Sequence, residues 1–322
     1  TTNARLVSSG WRHSCALLRT GAVQCWGVEP SDVFAVAASS RRSAPVVVNG
    51  ISNAIGISAG FSHACAALSS GQVQCWGDNY YGQLGNGSTT SSLNPVLVKG
   101  ISSATSVSAG GLYTCAVLRS GAVQCWGTNS SGELGNGSKI RSAVPVTVNG
   151  ISTATSVSAV GSTTCAVLRS GGVQCWGSNL SGKLGNGSTD NSSTPVSVSG
   201  ITSAIAVSAG NSSACAVLNS GQVQCWGSNS GGRLGNDTLT DSSTPVMVSS
   251  INSATSVSVG DDQTCALLSS GAVRCWGGTY VPQPGNDPAT STSVPVTVNG
   301  ISDAISVSAG GFHTCAVLSS GA

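Results

Sequence analysis

The chain has 322 residues, of which 40% are apolar, so it can enclose a sizeable core, and only 7% are charged, against about 25% in an ordinary globular domain. Its 13 basic and 11 acidic residues leave a net charge of +2 with no basic stripe. That excludes an ordinary nucleic-acid interface, which needs clustered Lys and Arg to displace the counterions around phosphate. No apolar run reaches the roughly 18 residues that a membrane-spanning helix requires.

In chain order, one stretch sets the pattern. It is first met at Cys15–Gly27 and returns at 65–77, 115–127, 165–177, 215–227 and 265–277, a spacing of 50 residues with no insertion. Half of a seventh copy begins at Cys315 and stops at Ala322. The repeats are 1–50, 51–100, 101–150, 151–200, 201–250, 251–300 and a partial 301–322, read together as one domain. In the second repeat the alternation of Ala54–Ala59 predicts a half-buried first strand. His63–Leu68 follows as the second strand and Gln72–Trp76 as the third. A long polar loop covers Gly77–Asn94, and Pro95–Lys99 reads as the fourth strand. Proline recurs at 45, 95, 145, 195, 245 and 295, where it is expected to start the fourth strand because its missing N–H is tolerated there. No run has helical periodicity, so almost no helix is expected.

The turn Ser69-Ser70-Gly71 suits a three-residue hairpin loop whose last residue takes positive φ. That register pairs Leu68 with Gln72, Ala67 with Val73, Ala66 with Gln74 and Cys65 with Cys75. The two cysteines meet at a non-hydrogen-bonded position, where side chains come closest, and a bridge forms there if the Cα atoms lie about 4.4–6.8 Å apart. Six disulfides are therefore expected: Cys15–Cys25, Cys65–Cys75, Cys115–Cys125, Cys165–Cys175, Cys215–Cys225 and Cys265–Cys275, with Cys315 left over. Such bridges persist in oxidising compartments. Zinc is not expected, since there is no paired C-x-x-C and there are three histidines in all.

Four strands every 50 residues is the signature of an all-β propeller of four-stranded blades. The count falls short of a seven-bladed ring, because six repeats and a half supply twenty-six strands. Three explanations stand open. The chain continues past Ala322, another chain fills the gap, or six blades form the ring with a half-blade outside it.

The residues Gly60, His63, Leu68, Gly71, Val73, Trp76-Gly77, Asn79 and Gly82-Gln83-Leu84-Gly85 resemble the repeat of the regulator of chromosome condensation family. The phrase Gly-x-Leu-Gly recurs at 132–135, 182–185 and 232–235. The resemblance implies a seven-bladed propeller, here with its last blade incomplete. The paired cysteines look like those of exported bacterial members. Repeats one and six depart from the pattern over Val28–Arg42 and Gly278–Asp287, as the end repeats of an array often do.

Chemistry is sparse. Trp26, Trp76, Trp126, Trp176, Trp226 and Trp276 share one repeat position, which reads as packing between blades. His13, His63 and His313 share another with Tyr113, Thr163, Ser213 and Gln263. That variety points to a polar side chain under a turn and not to a ligand ring. Asp237 and Asp241 lack the spacing of a dedicated calcium loop, and Asp261-Asp262 has no opposing carboxylate across a cleft. There is no Gly-x-Ser-x-Gly elbow and no phosphate loop. No catalytic residue, cofactor or metal is expected.

Nuclear members of the family act as exchange factors on a small GTPase, and the resemblance implies that alternative. Exported relatives, including a β-lactamase inhibitor, hold a partner protein through loops at one rim, and that precedent suits this composition better. The expected function is an extracellular or cell-surface, non-enzymatic scaffold. It binds a protein or glycan through rim loops, or other copies of itself. The expected contact residues follow the Trp-Gly pair: Asn79, Tyr80, Tyr81, Asn129, Ser130, Asn179, Leu180, Asn229, Thr279 and Tyr280. A propeller enzyme acting on extracellular polysaccharide is the other alternative, and it requires acidic groups converging on the central channel.

Overall fold

The glycine turns set the register of every blade. In the second repeat the strands are Ala54–Ala59, His63–Leu68, Val73–Gly77 and Ser92–Leu97, paired in that order into one antiparallel sheet. Gly71 takes a φ of 83°. Its N–H donates to the Leu68 carbonyl at 2.9 Å, and the Leu68 N–H donates to the Gln72 carbonyl at 2.9 Å. The ladder then runs Ala67 to Val73, Ala66 to Gln74 and Cys65 to Cys75. The structure, a computed structural model, describes residues 3–27, 42–278, 291–311 and 313–322.

All six disulfides form, with Cα–Cα distances of 4.0–4.1 Å. The pairs are closer than expected because non-hydrogen-bonded positions are where antiparallel strands approach most nearly. Cys315 is a free thiol.

One expectation is corrected. The fourth strand starts three residues early, at Ser92, and Pro95 lies inside it. The ladder explains why: Cys75 pairs with Val96 and Gly77 with Ser92, so extra residues bulge out between them. Proline sits in that bulge on the outer edge strand, where no partner asks for its N–H. Also, single 3₁₀ turns occur at Leu180–Gly182 and Ser230–Gly232.

The first strand of each blade is innermost. Its serine accepts a hydrogen bond from the first strand of the next blade. Ser8 Oγ accepts from the Ala59 N–H, Ser58 from Ala109, Ser108 from Ala159, Ser158 from Ala209, Ser208 from Val259 and Ser258 from Ala309, all at 2.9–3.0 Å. Ser308 Oγ then accepts from the Ser9 N–H at 2.8 Å, so the ring closes. Among the described residues there are six four-stranded blades and a seventh of two strands, Ala304–Ala309 and Thr314–Leu318. The seventh unit lies inside the ring, against the first blade through Ser14 Oγ and His313 Nε2 at 2.7 Å. A half-blade outside a six-bladed ring is thereby ruled out.

The core lies between blades. Leu17, Val23 and Val48 of the first repeat pack on Ile51, Ile57 and Trp76 of the second, and equivalent sets recur at the next four seams. In the six four-stranded blades the second strand is buried, apart from a half-buried final leucine in all but the second blade, since sheets cover both its faces. Trp76, Trp126, Trp176, Trp226 and Trp276 are fully buried, as packing between blades requires. Trp26 is only partly buried, against the two-stranded seventh blade.

Candidate functional site

Antiparallel order puts two kinds of connection on one face: the turns between first and second strands, and the long loops between third and fourth. The Asp78 N–H donates to the Ser62 carbonyl at 2.8 Å, which fastens the two together. The face has an outer ring of loops and a central channel mouth.

Each complete loop folds around its asparagine. Asn79 Oδ1 accepts the Leu84 N–H at 2.9 Å, and Nδ2 donates to the carbonyls of Ser88 and Thr90, both at 3.0 Å. Asn129 makes the same set with Leu134, Ser138 and Ile140. Asn179 and Asn229 bind the Leu184 and Leu234 amides likewise. These four side chains are buried. The expectation that Asn79, Asn129, Asn179 and Asn229 present contact groups is therefore corrected: their amides face inward and hold the loop's own backbone.

The loop also grips the next blade. The Gln83 carbonyl accepts both Trp126 Nε1–H and Thr114 Oγ1–H at 2.9 Å. The Gly87 N–H donates to the Ala143 carbonyl at 2.9 Å. Gly82 must be glycine, because a Cβ there would stand 2.6 Å from the Ala143 Cα. Glu133, Lys183 and Arg233 repeat the tryptophan contact in the following seams.

What the loops expose is their tips. Tyr80 is 67% exposed and Leu180 76%, with Ser130 and Ser230 exposed at the same position. A second tip carries Ile140 at 77% and Leu239 at 68%. Tyr81 is half-buried, edge-on to Tyr80 with ring centroids 5.0 Å apart. Thr279 and Tyr280 lie outside the described residues. Ile140 and Leu239 were missed by the sequence reading, which stopped at the residues beside Trp-Gly.

The channel mouth was missed as well. Trp11 stacks on Phe61 at 5.7 Å, and the Arg12 guanidinium lies 4.4 Å from the indole centroid. The indole also hydrogen-bonds the Asp261 carboxylate of the sixth blade. Burial raises the Asp261 pKa above the usual carboxylate range and neighbouring Asp262 adds to the rise, while Trp11 and Arg233 oppose it. Asp262 itself pairs with Arg233 at 2.7 Å. Lys183 Nζ donates to the Asn211 carbonyl at 3.0 Å, and burial pulls its pKa down to about 8.

The histidines are structural. His63 Nε2 lies 2.8 Å from Thr114 Oγ1. Thr114 already donates to Gln83, so His63 must donate, as the neutral Nε2–H tautomer. Burial holds its pKa at about 3 and that of His13 at about 4. Among the described residues no cluster of His, Cys, Asp or Glu is placed to hold a metal ion. Asp241 is spent on the Asn229 N–H at 2.7 Å.

Family models described as the regulator of chromosome condensation (RCC1) repeat match residues 70–117, 120–167, 170–217 and 220–267, and in a second form 5–29, 54–83, 104–133, 154–183 and 204–233. A comparison with curated proteins returns no match. Among solved structures, human WBSCR16 is similar at 19% identity and a TM-score of 0.87, covering 98% of this chain and 87% of that one. Prp20p from Saccharomyces cerevisiae, described with its binding to Gsp1p and histones, is similar at 18% identity and a TM-score of 0.82, over 95% and 80%. The crinkly ectodomain of the Arabidopsis thaliana receptor kinase ACR4 is similar at 21% identity and a TM-score of 0.57, over 99% and 92%.

Proposed function

Because this chain belongs to the regulator of chromosome condensation repeat family, we propose that it is a non-enzymatic propeller that holds a partner protein on its loop-bearing face, outside the cell. The observation that carries the reading is the build of the loops. Each is locked by a buried asparagine and pinned to the next blade, yet its tips expose Tyr80, Ile140, Leu180 or Leu239. Such loops lose little freedom on docking, which is where flexible loops lose affinity. Their tips differ from blade to blade, which suits one shaped partner better than a repeating ligand.

The six disulfides support an oxidising address. The relatives add precedent: Prp20p is described as binding other proteins, and a receptor ectodomain has a related shape. An enzyme acting on polysaccharide is less well supported. Among the described residues at the channel mouth, Asp262 is tied to Arg233, which leaves Asp261 without a second free acid there of the kind that hydrolysis uses.

The test is comparative capture. Wild type and a triple variant, Tyr80→Ala, Leu180→Ala and Leu239→Ala, are immobilised and exposed to the secreted proteins of the source. Bound proteins are quantified by mass spectrometry. The variant should melt like wild type and retain less than about a tenth of the captured partner, as expected when anchor side chains are lost. Equal capture by both proteins overturns the reading.

A further inference from the structure

On the face opposite the loops, an open cleft of about 710 Å³ lies between the fifth and sixth blades. Ligand sites span roughly 300–1,000 Å³. Antiparallel order brings two connections to this face. One is the hairpin turn that ends at Gln222. The other is the passage 248–252, which runs from the outer strand of the fifth blade, Ser242–Met247, to the inner strand of the sixth, Ala254–Val259. Arg274, on the third strand of the sixth blade, Val273–Gly277, forms the opposite wall.

The cleft stands where this seam departs from all the others. Arg274 takes the place of Gln24, Gln74, Gln124, Gln174 and Gln224. Asn252 takes the place of Ser52, Ser102, Ser152, Thr202 and Ser302. Ser250 stands where Gly50, Gly100, Gly150, Gly200 and Gly300 take φ of 72–84°. Ser250 keeps a φ of 57°, in the left-handed region that favours glycine. Crowding is not the issue, since a Cβ on any of those five glycines meets no atom within 4 Å. The fold therefore does not ask for this serine, and backbone strain of this kind gathers at binding sites. The exceptions also meet. Arg274 Nη1 donates to the Ser250 carbonyl at 3.0 Å, and Asn252 lies in the same wall.

The guanidinium carries five N–H donors, so most remain after that bond. Among the described residues no carboxylate pairs with Arg274, and none lines the cleft. Gln222 Oε1 accepts from Ser220 Oγ at 3.2 Å, which leaves its amide N–H groups to donate. Met247 and Val248 supply apolar surface. One positive charge, neutral hydrogen-bonding groups and an apolar strip are complementary to a sugar ring bearing one carboxylate. A phosphate monoester brings about two charges and would leave one unmatched. We propose that this cleft binds a uronic-acid residue of an acidic glycan. Its carboxylate meets the Arg274 guanidinium, its hydroxyls meet Gln222 and Asn252, and its C–H face lies on Met247. The site is separate from the loop-bearing face and does not depend on what docks there.

Met247 is the single methionine of the chain, so a labelled methionine methyl gives one NMR signal in the cleft. Methyl glucuronide should move that signal saturably. It should bind at least about tenfold more tightly than methyl glucoside, which lacks the charge. Arg274→Gln restores the residue of the other five repeats, so the variant should melt like wild type while the preference disappears. Equal binding of the two glycosides, binding of neither, or a preference that survives Arg274→Gln overturns the assignment. Tighter binding of glucose 6-phosphate moves the ligand to a phosphorylated sugar and overturns the uronic acid. Tighter binding of free glucuronic acid than of its methyl glycoside overturns the glycan as its source.

Discussion

The Ser9 amide donates to the Ser308 hydroxyl at 2.8 Å, joining residues from opposite ends of the described chain. It completes a circuit of seven equivalent bonds. Ser9 Oγ returns a bond to the Ser308 carbonyl at 3.1 Å, and the Gly311 N–H adds one to the Gly10 carbonyl at 3.2 Å. Ser308→Ala should cost about 1 kcal/mol of global stability, the usual net value of one hydrogen bond. It should also speed hydrogen exchange at the Ser9 amide well above that at the Ala159 amide. Unchanged exchange at Ser9 would show that the bond does not hold this seam.

Acid should loosen the ring through His63 and His13. Both are buried, with pKa values of about 3 and about 4, below the ordinary 6.5. The unfolded chain therefore takes up protons first as pH falls. Stability is fully present above pH 6.5 and is lost below it, at roughly 1.4 kcal/mol per pH unit for each histidine, until the folded pKa is reached. Gln263 holds the same repeat position and donates to Thr314 Oγ1. His63→Gln should keep the bond to Thr114 and flatten the acid slope. Melting temperatures measured between pH 7 and pH 4 check this, and an unaltered slope contradicts it.

The bridged cysteines of every blade are buried. A thiolate reductant must reach a sulfur to attack it. Reductant under native conditions should leave one alkylatable thiol, Cys315, because the other twelve of the 13 cysteines are bridged. In denaturant the same treatment should expose all 13. Intact mass after alkylation reads the count. Ready native reduction would mean that the hairpins open more easily than their burial implies.

Asn129 and Ser130 are neighbours with opposite assignments. Asn129→Ala leaves the fully buried Leu134 amide without its acceptor and should lower stability by roughly 2–3 kcal/mol. Ser130→Ala should stay within about 0.5 kcal/mol, as exposed substitutions do. Denaturant unfolding of both variants tests the contrast, and equal losses would remove the asparagine from its place as the loop's hub.

Much of the architecture was legible because the chain repeats itself. The spacing of Cys65 and Cys75 around Gly71 carried the hairpin register and the bridge, since glycine is what that turn demands. The asparagines were misread for an instructive reason. Asn79, Asn129, Asn179 and Asn229 recur unchanged while Tyr80, Ser130, Leu180 and Ser230 vary beside them. Recurrence within one chain marks a bond that every blade must make, whereas a contact with one partner has no reason to recur. The first and sixth repeats lack both the asparagine and Gly-x-Leu-Gly, which is the same signal in negative. The channel mouth was illegible because Trp11, Phe61 and Asp261 are far apart in sequence and only ring closure brings them together. Serine at positions 8, 58 and 108 looked like ordinary strand alternation, and its pairing across blades depends on which strand is innermost.

The grip of each loop on the following blade has a consequence for anyone recombining these modules. The bonds from Gln83 run forward to Trp126 and Thr114, and those from Glu133 run forward to Trp176 and Thr164. A sheet lifted out along its own strand boundaries would leave a severed clasp behind and an empty socket ahead. The self-contained cassette instead runs from one loop through the next hairpin, roughly residues 78–127. Grafts cut at those borders should tolerate shuffling that sheet-by-sheet exchange does not.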